Sequence, residues 1–308
     1  MKRALLLLAF VALAACSPSS AATRAESAAR QTVVFTPPHE RTERGILREP
    51  AQPHHRTAIV LVHGGGGMAG DRDDGRVRAW QHLYTDAGYV TFAVDYLVAT
   101  PRTPAPVYPK PESDVKSAVQ YLRMHASELG IDPNNIVVQG FSAGARLGGQ
   151  LLVAPDDPAF DGGTRWPAPS DRIAGFIGFY GYYSGFQFGP DKYYGGPRNS
   201  PDPAVRARWD MADSAARADA ATGPALLFHG TTDPLPIGFS TAFADDLRAA
   251  GKDAEMVTVP GATHGFDWVK GKITPAGHAA ARRALDWLAV HFPDAAGTAR
   301  ARSGTLPG

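Results

Sequence analysis

Thr57-Ala-Ile-Val-Leu-Val62 runs for five apolar residues with no polar break. A strand with one face in water alternates apolar and polar side chains. An unbroken run is the mark of a strand covered on both faces, and such strands belong to parallel sheets flanked by helices. The signal recurs at Tyr89–Tyr96, Ile136–Gln139, Ile173–Tyr180, Ala225–His229 and Glu255–Val259. Between these runs lie amphipathic stretches that predict helices over Val77–Ala87, Glu112–Leu129, Ser142 to about Leu152, Phe239–Ala250 and Ala276–His291. Thr32–Phe35 is an early strand candidate. Strand alternating with helix in this way predicts an α/β fold with a mostly parallel central sheet and helices on both faces.

The 308 residues suffice for one large domain of this kind, expected over residues 31–293. Gly (33) and Pro (26) are abundant, which favours turns and long loops over a helical bundle. Five of those prolines, Pro101, Pro104, Pro106, Pro109 and Pro111, turn residues 97–111 into a loop. A net charge of +1 gives no basic excess and argues against a nucleic-acid partner.

The first fifteen residues read as an export signal. Lys2 and Arg3 precede the uncharged apolar stretch Leu5–Ala14, which is too short to span a bilayer. It ends in Leu13-Ala14-Ala15-Cys16, and the chain's single Cys falls where a bacterial lipobox carries its lipidated residue. The expectation is a lipoprotein anchored to a membrane through Cys16 in the bacterial cell envelope, with plain periplasmic export or secretion as the alternative. One Cys allows no internal disulfide, so stability must come from burial. Residues 16–30, rich in Ser and Ala, read as a tether, and residues 294–308 as a disordered tail.

Gly140-Phe-Ser-Ala-Gly144 follows a buried strand and opens a helix. The glycines relieve crowding at a sharp turn that lifts the Ser142 hydroxyl out of the sheet. The Ala143 amide then sits at a helix N-terminus, aimed where negative charge would develop. His63-Gly-Gly-Gly-Gly67 ends another strand, and its glycine amides can approach a substrate oxygen with no Cβ in the way. A phosphate loop is excluded, because no Lys-Ser/Thr pair follows at the required spacing. His63 reads as a residue that orients this loop. His229-Gly-Thr-Thr-Asp233 and Gly261-Ala-Thr-His264-Gly both follow strands, so Asp233 and His264 are expected at the C-terminal edge of the sheet, where ligands bind in open α/β folds. The order Ser142, Asp233, His264 is that of an α/β-hydrolase triad. Asp267, Asp210 and Asp213 are rival acids.

These motifs resemble α/β-hydrolase serine esterases over nearly all of residues 55–292. His63–Gly66 and Val94-Asp95-Tyr96 are similar to the hormone-sensitive-lipase-like and feruloyl-esterase-like branch. Leu227–Phe266 is more similar to dienelactone hydrolases and prolyl-oligopeptidase-type peptidases, although dienelactone hydrolases carry Cys where the nucleophile here is Ser. The resemblance implies an oxyanion hole built from the amides of Gly65, Gly66 and Ala143, a small-molecule ester as substrate, and neither cofactor nor metal. Two other readings stand beside it: an exopeptidase or acyltransferase using the same triad, and a non-catalytic lipoprotein binding a ligand on a hydrolase scaffold.

Two segments break the alternation. Residues 153–172 are rich in Pro and Asp. Residues 181–200 carry Tyr182, Tyr183, Phe186, Phe188, Tyr193 and Tyr194, which read either as a small satellite core or as the wall of a substrate pocket. Arg72, Arg76, Asp71, Asp73 and Asp74, just past the glycine loop, read as a solvated helix start or as contacts for a polar substrate.

Overall fold

The computed structural model describes residues 29–51, 55–184 and 193–294. The export segment with Cys16, the greater part of the tether, Phe186, Phe188 and residues 295–308 lie outside the described residues. Among the described residues no helix is long and apolar enough to cross a membrane.

Eight strands form one sheet: β1 (Ala29–Val34), β2 (Arg44–Glu49), β3 (Ala58–Val62), β4 (Val90–Val94), β5 (Ile136–Phe141), β6 (Gly175–Phe179), β7 (Ala225–Gly230) and β8 (Ala254–Val259). Their spatial order is β1-β2-β4-β3-β5-β6-β7-β8. The strands from β3 to β8 pair in parallel, while β1 and β2 pair antiparallel at one edge.

The helices are α1 (Gly75–Asp86), α2 (Lys110–Met124), α3 (Ala143–Val153), α4 (Pro203–Met211), α5 (Gly238–Ala249) and α6 (Pro275–His291). Alternate side chains of β3 explain why its run is unbroken. Ala58, Val60 and Val62 enter a core shared with residues of α2, α3 and α5, whereas Ile59 and Leu61 enter a second core with residues of α1 and α6. Each face of the strand therefore buries its own side chains, and no position is left for a polar one.

Helix starts follow local chemistry. The Asp74 carboxylate accepts from the amides of Arg76 and Val77, capping α1, and the Thr274 hydroxyl accepts from the Gly277 amide, capping α6 ahead of Pro275.

Several expectations shift. β1 begins at Ala29, so the end of the stretch read as a tether is paired with β2 through Ala29↔Glu49. β2 itself and α4 carry no clear period in the sequence. The predicted tail begins with a bonded residue, since the Asp294 carboxylate pairs with the His55 ring at 2.5 Å. A third, smaller core joins Val107, Tyr108, Phe160, Tyr193, Tyr194 and Trp209. Tyr193 and Tyr194 are thus satellite-core residues, as the first of the two readings has it. Tyr183 instead stacks on Phe243 of α5 at 4.4 Å.

Candidate active site

The turn between β5 and α3 forces Ser142 into a left-handed conformation, φ 52° and ψ −113°. A side chain rarely adopts this, and the neighbours show what makes it tolerable. A Cβ at Gly140 would lie 2.2 Å from the Gly144 carbonyl oxygen, and a Cβ at Gly144 would lie 2.3 Å from that of Val62. Only glycine permits this closure. The main chain then locks it: the Ser142 amide donates to Phe179 O at 2.9 Å, and the Ser142 carbonyl accepts from Ala145 and Arg146 at 2.9 and 3.1 Å.

His264 lies on the loop after β8, with its Nε2 3.0 Å from Ser142 Oγ. Its Nδ1 lies 3.1 and 2.9 Å from the two carboxylate oxygens of Asp233, on the loop after β7. A carboxylate only accepts, so Nδ1 carries a proton and Nε2 of the neutral ring is free to accept from the serine hydroxyl. The Asp233 side chain is 0% exposed and that of His264 35% exposed, so the acid is shielded while the base stays reachable. Asp233 Oδ1 also accepts from the Leu235 amide at 2.8 Å. The structure therefore brings together the three residues that the sequence singled out. Of the rival acids, Asp267 does not bond to His264; its carboxylate accepts from Trp80 and Tyr180. Asp213 caps a turn through the Ala216 amide.

A second buried histidine stands behind the acid and was not anticipated as part of the site. His229 Nε2 donates to Leu235 O at 2.9 Å, and its Nδ1 accepts from the Ser240 hydroxyl at 2.8 Å. Burial lowers its pKa and keeps the ring neutral. Its Nε2 is also 3.4 Å from Asp233 Oδ2, the carboxylate oxygen that lies 2.9 Å from His264 Nδ1.

The glycine loop closes over the same spot. Gly65, Gly66 and Gly67 have φ of 108°, 65° and 69°. Among the described residues, the amides of Gly65, Gly66 and Ala143 donate to no backbone carbonyl. Gly64 abuts the serine turn, where an added Cβ would meet Ser142 Cβ at 3.4 Å. His63 is buried, stacks on Tyr96 at 4.1 Å and donates Nδ1–H to Gly64 O at 2.7 Å, so it orients the loop.

The charged residues after the loop split three ways. Asp74 caps α1, Arg72 pairs with Asp95, and Arg76 turns inward to Asp267 at 3.3 Å. One turn beyond Ser142, Arg146 is buried and pairs with Glu112 at 2.6 Å. The same Nη2 donates to the Tyr193 hydroxyl at 2.6 Å, which ties α3 to the satellite core.

A BD-FAE family model matches residues 46–247. The chain belongs to the BD-FAE family. Its members' α/β-hydrolase fold is the one described above, and solved structures agree. An esterase from the Planctomycetes species Thermogutta terrifontis, Est2 with butyrate bound, superposes with a TM-score of 0.71 at 26% identity, covering 88% of this chain and 96% of that one. Among curated relatives, the probable carboxylic ester hydrolase LipM of Mycobacterium tuberculosis is 28% identical over 72% of this chain and 52% of its own length. The ethyl acetate hydrolase of Pseudomonas putida is 28% identical over 68% of this chain and 65% of its own. This BD-FAE chain thus spans about half the length of the first of these relatives.

Proposed function

We propose that this protein is a serine carboxylic-ester hydrolase that works through an acyl-enzyme on small or medium esters. The observation that carries the reading is the continuous hydrogen-bonded chain from Ser142 Oγ through the His264 ring to the shielded Asp233 carboxylate. Membership of the BD-FAE family supports it, as do relatives named for the hydrolysis of carboxylic esters and of ethyl acetate.

The chemistry follows from the geometry. Ser142 Oγ attacks the ester carbonyl as its proton passes to His264 Nε2. Asp233 holds the ring in the tautomer that can accept this proton and stabilises the imidazolium that results. The carbonyl oxygen becomes an oxyanion facing the amides of Gly65, Gly66 and Ala143, and each such donor is typically worth about 3 kcal/mol. His264 then gives its proton to the departing alcohol oxygen. A water, deprotonated by the same nitrogen, releases the acid and restores the serine. No step calls for a metal or a cofactor.

The test is Ser142→Ala assayed on p-nitrophenyl butyrate. Turnover should fall on the order of 10^4-fold or more, with an unchanged circular dichroism spectrum. A fluorophosphonate probe should label the wild type at Ser142. Wild-type turnover by the alanine variant ends the reading.

A further inference from the structure

We propose that Asp267 and Tyr180 are positioning residues for His264, forming a buried anchor that fixes the histidine's loop against α1 and the end of β6. The proposal rests on the triad reading above.

The His264 ring needs such an anchor. Its loop is partly open to solvent, and the two bonds of its ring nitrogens fix the ring only if the loop backbone is already in place. Productive geometry tolerates roughly 0.5 Å and 10–20°.

Asp267 lies three residues beyond His264 and its side chain is 0% exposed. A buried carboxylate is costly unless its lone pairs are filled. Here separate parts of the fold fill them. Trp80 of α1 donates its indole N–H to Oδ2 at 2.8 Å. The Tyr180 hydroxyl, at the end of β6, donates to Oδ1 at 2.6 Å. Arg76, in the first turn of α1, brings its guanidinium to Oδ1 at 3.3 Å. The same Arg76 lies over the rings of Phe141 and Tyr180, at 6.0 and 5.8 Å from their centroids. It also approaches Gly265 so closely that a Cβ there would sit 2.7 Å from its Nη2. The residue immediately after His264 and the residue three beyond it are therefore gripped by one set of side chains.

Tyr180 supplies a second, independent observation. Its φ is 41°, a backbone state that a bulky aromatic residue rarely adopts. Its amide is tied to Phe228 O at 2.7 Å and its hydroxyl to Asp267, while its ring meets the His264 ring edge-on at 4.7 Å and 62°. Strain of this kind persists only where the surroundings over-determine it, and it gathers at working sites. Tyr180 touches the catalytic ring and the anchor at once. It connects the strand that carries it to the base of the triad, with Asp267 as the fixed point.

Ordinary packing would hold the loop too, since Phe266 is buried in the core beside α6. The two roles separate kinetically. Tyr180→Phe keeps the ring and removes only the bond to Asp267, and Asp267→Asn keeps the shape and removes the charge. Each is assayed in the intact chain, with kcat and KM on p-nitrophenyl butyrate normalised to folded protein and with the rate of fluorophosphonate labelling at Ser142. Misplacement of catalytic groups by about 1 Å costs on the order of 100-fold, so kcat should fall about tenfold in Tyr180→Phe and about 100-fold in Asp267→Asn. KM should stay within about threefold of wild type, and the labelling rate should fall in step with kcat. If kcat in the folded variants stays within about twofold of wild type, or if the loss falls on KM alone, the proposal is overturned. Should Asp267→Asn fail to fold, Tyr180→Phe decides alone. Failure of the triad reading would register separately, as wild-type turnover in Ser142→Ala.

Discussion

Asp233 and Asp267 are both carboxylates with 0% exposed side chains, both sit on loops beyond strands of the parallel sheet, and both connect to His264, Asp233 directly and Asp267 through Tyr180. They differ in what donates to them. Asp233 receives the Nδ1–H of His264 itself, with a backbone amide at its side. Asp267 receives an indole N–H and a phenol O–H, with the Arg76 guanidinium beside it at ion-pair distance, and neither donor is a titratable ring facing Ser142. Burial therefore says nothing about which acid takes part in proton transfer. The donor set does: a carboxylate facing a titratable ring can bias that ring's tautomer and charge, whereas a carboxylate filled by permanent donors can only hold them still.

Three substitutions would break or sharpen that contrast. The largest effect should come from Asp233→Asn, which preserves the shape but presents an amide to Nδ1 and favours the wrong tautomer. A loss in kcat on the order of 10^4-fold is expected, with thermal stability near that of the wild type; a loss under about tenfold would move the catalytic acid elsewhere. Next comes the double variant Asp233→Asn/Asp267→Asn. If Asp267 acts only by placing His264, its loss should matter less once the ring is already in the wrong tautomer. The about 100-fold effect of Asp267→Asn should then shrink below about tenfold in the Asp233→Asn background. Full multiplication of the two losses in a kinetic cycle would make the acids independent.

The smallest effect concerns a third carboxylate with no link to His264. Glu43 is pushed up to about 7 from 4.5, chiefly by burial and next by the neighbouring Asp114 charge. A carboxyl whose folded pKa is raised favours the folded state while protonated. Its contribution is present below about 4.5 and is lost as pH rises through about 7. Glu43→Gln should leave kcat unchanged and should gain in melting temperature relative to the wild type as pH rises through that window. A parallel pH dependence of the two melting temperatures would contradict this.

Legibility in the sequence follows the range of the contacts. The β3 and β5 runs were readable because burial on both faces leaves a local apolar signature. β2 was not, since Arg44-Gly-Ile-Leu-Arg-Glu49, one strand in from the sheet edge, mixes exposed and buried positions without strict alternation. α4 buries only Val205 and Trp209, too few for a periodic stripe. In the site, Ser142 and His264 stood out because glycines next to them report local turns. The Asp267 anchor left no comparable mark. Trp80 and Tyr180 reach it across 187 and 87 residues of sequence, and no local pattern encodes such pairings. Asp267 was visible only as a rival to Asp233, and Arg76 only as a charge near a helix start.

The serine turn has a further consequence. Ser142 is held by its amide, by its carbonyl and by glycines on either side, all of them main-chain features. Its Oγ has no part in closing the turn. The address of the attacking atom is thus independent of the atom's identity, and a sulfur in its place would inherit the same spot above the sheet and the same histidine. Exchange of oxygen for sulfur asks for no change in these main-chain bonds, so the backbone by itself does not choose between an alcohol and a thiol at this position.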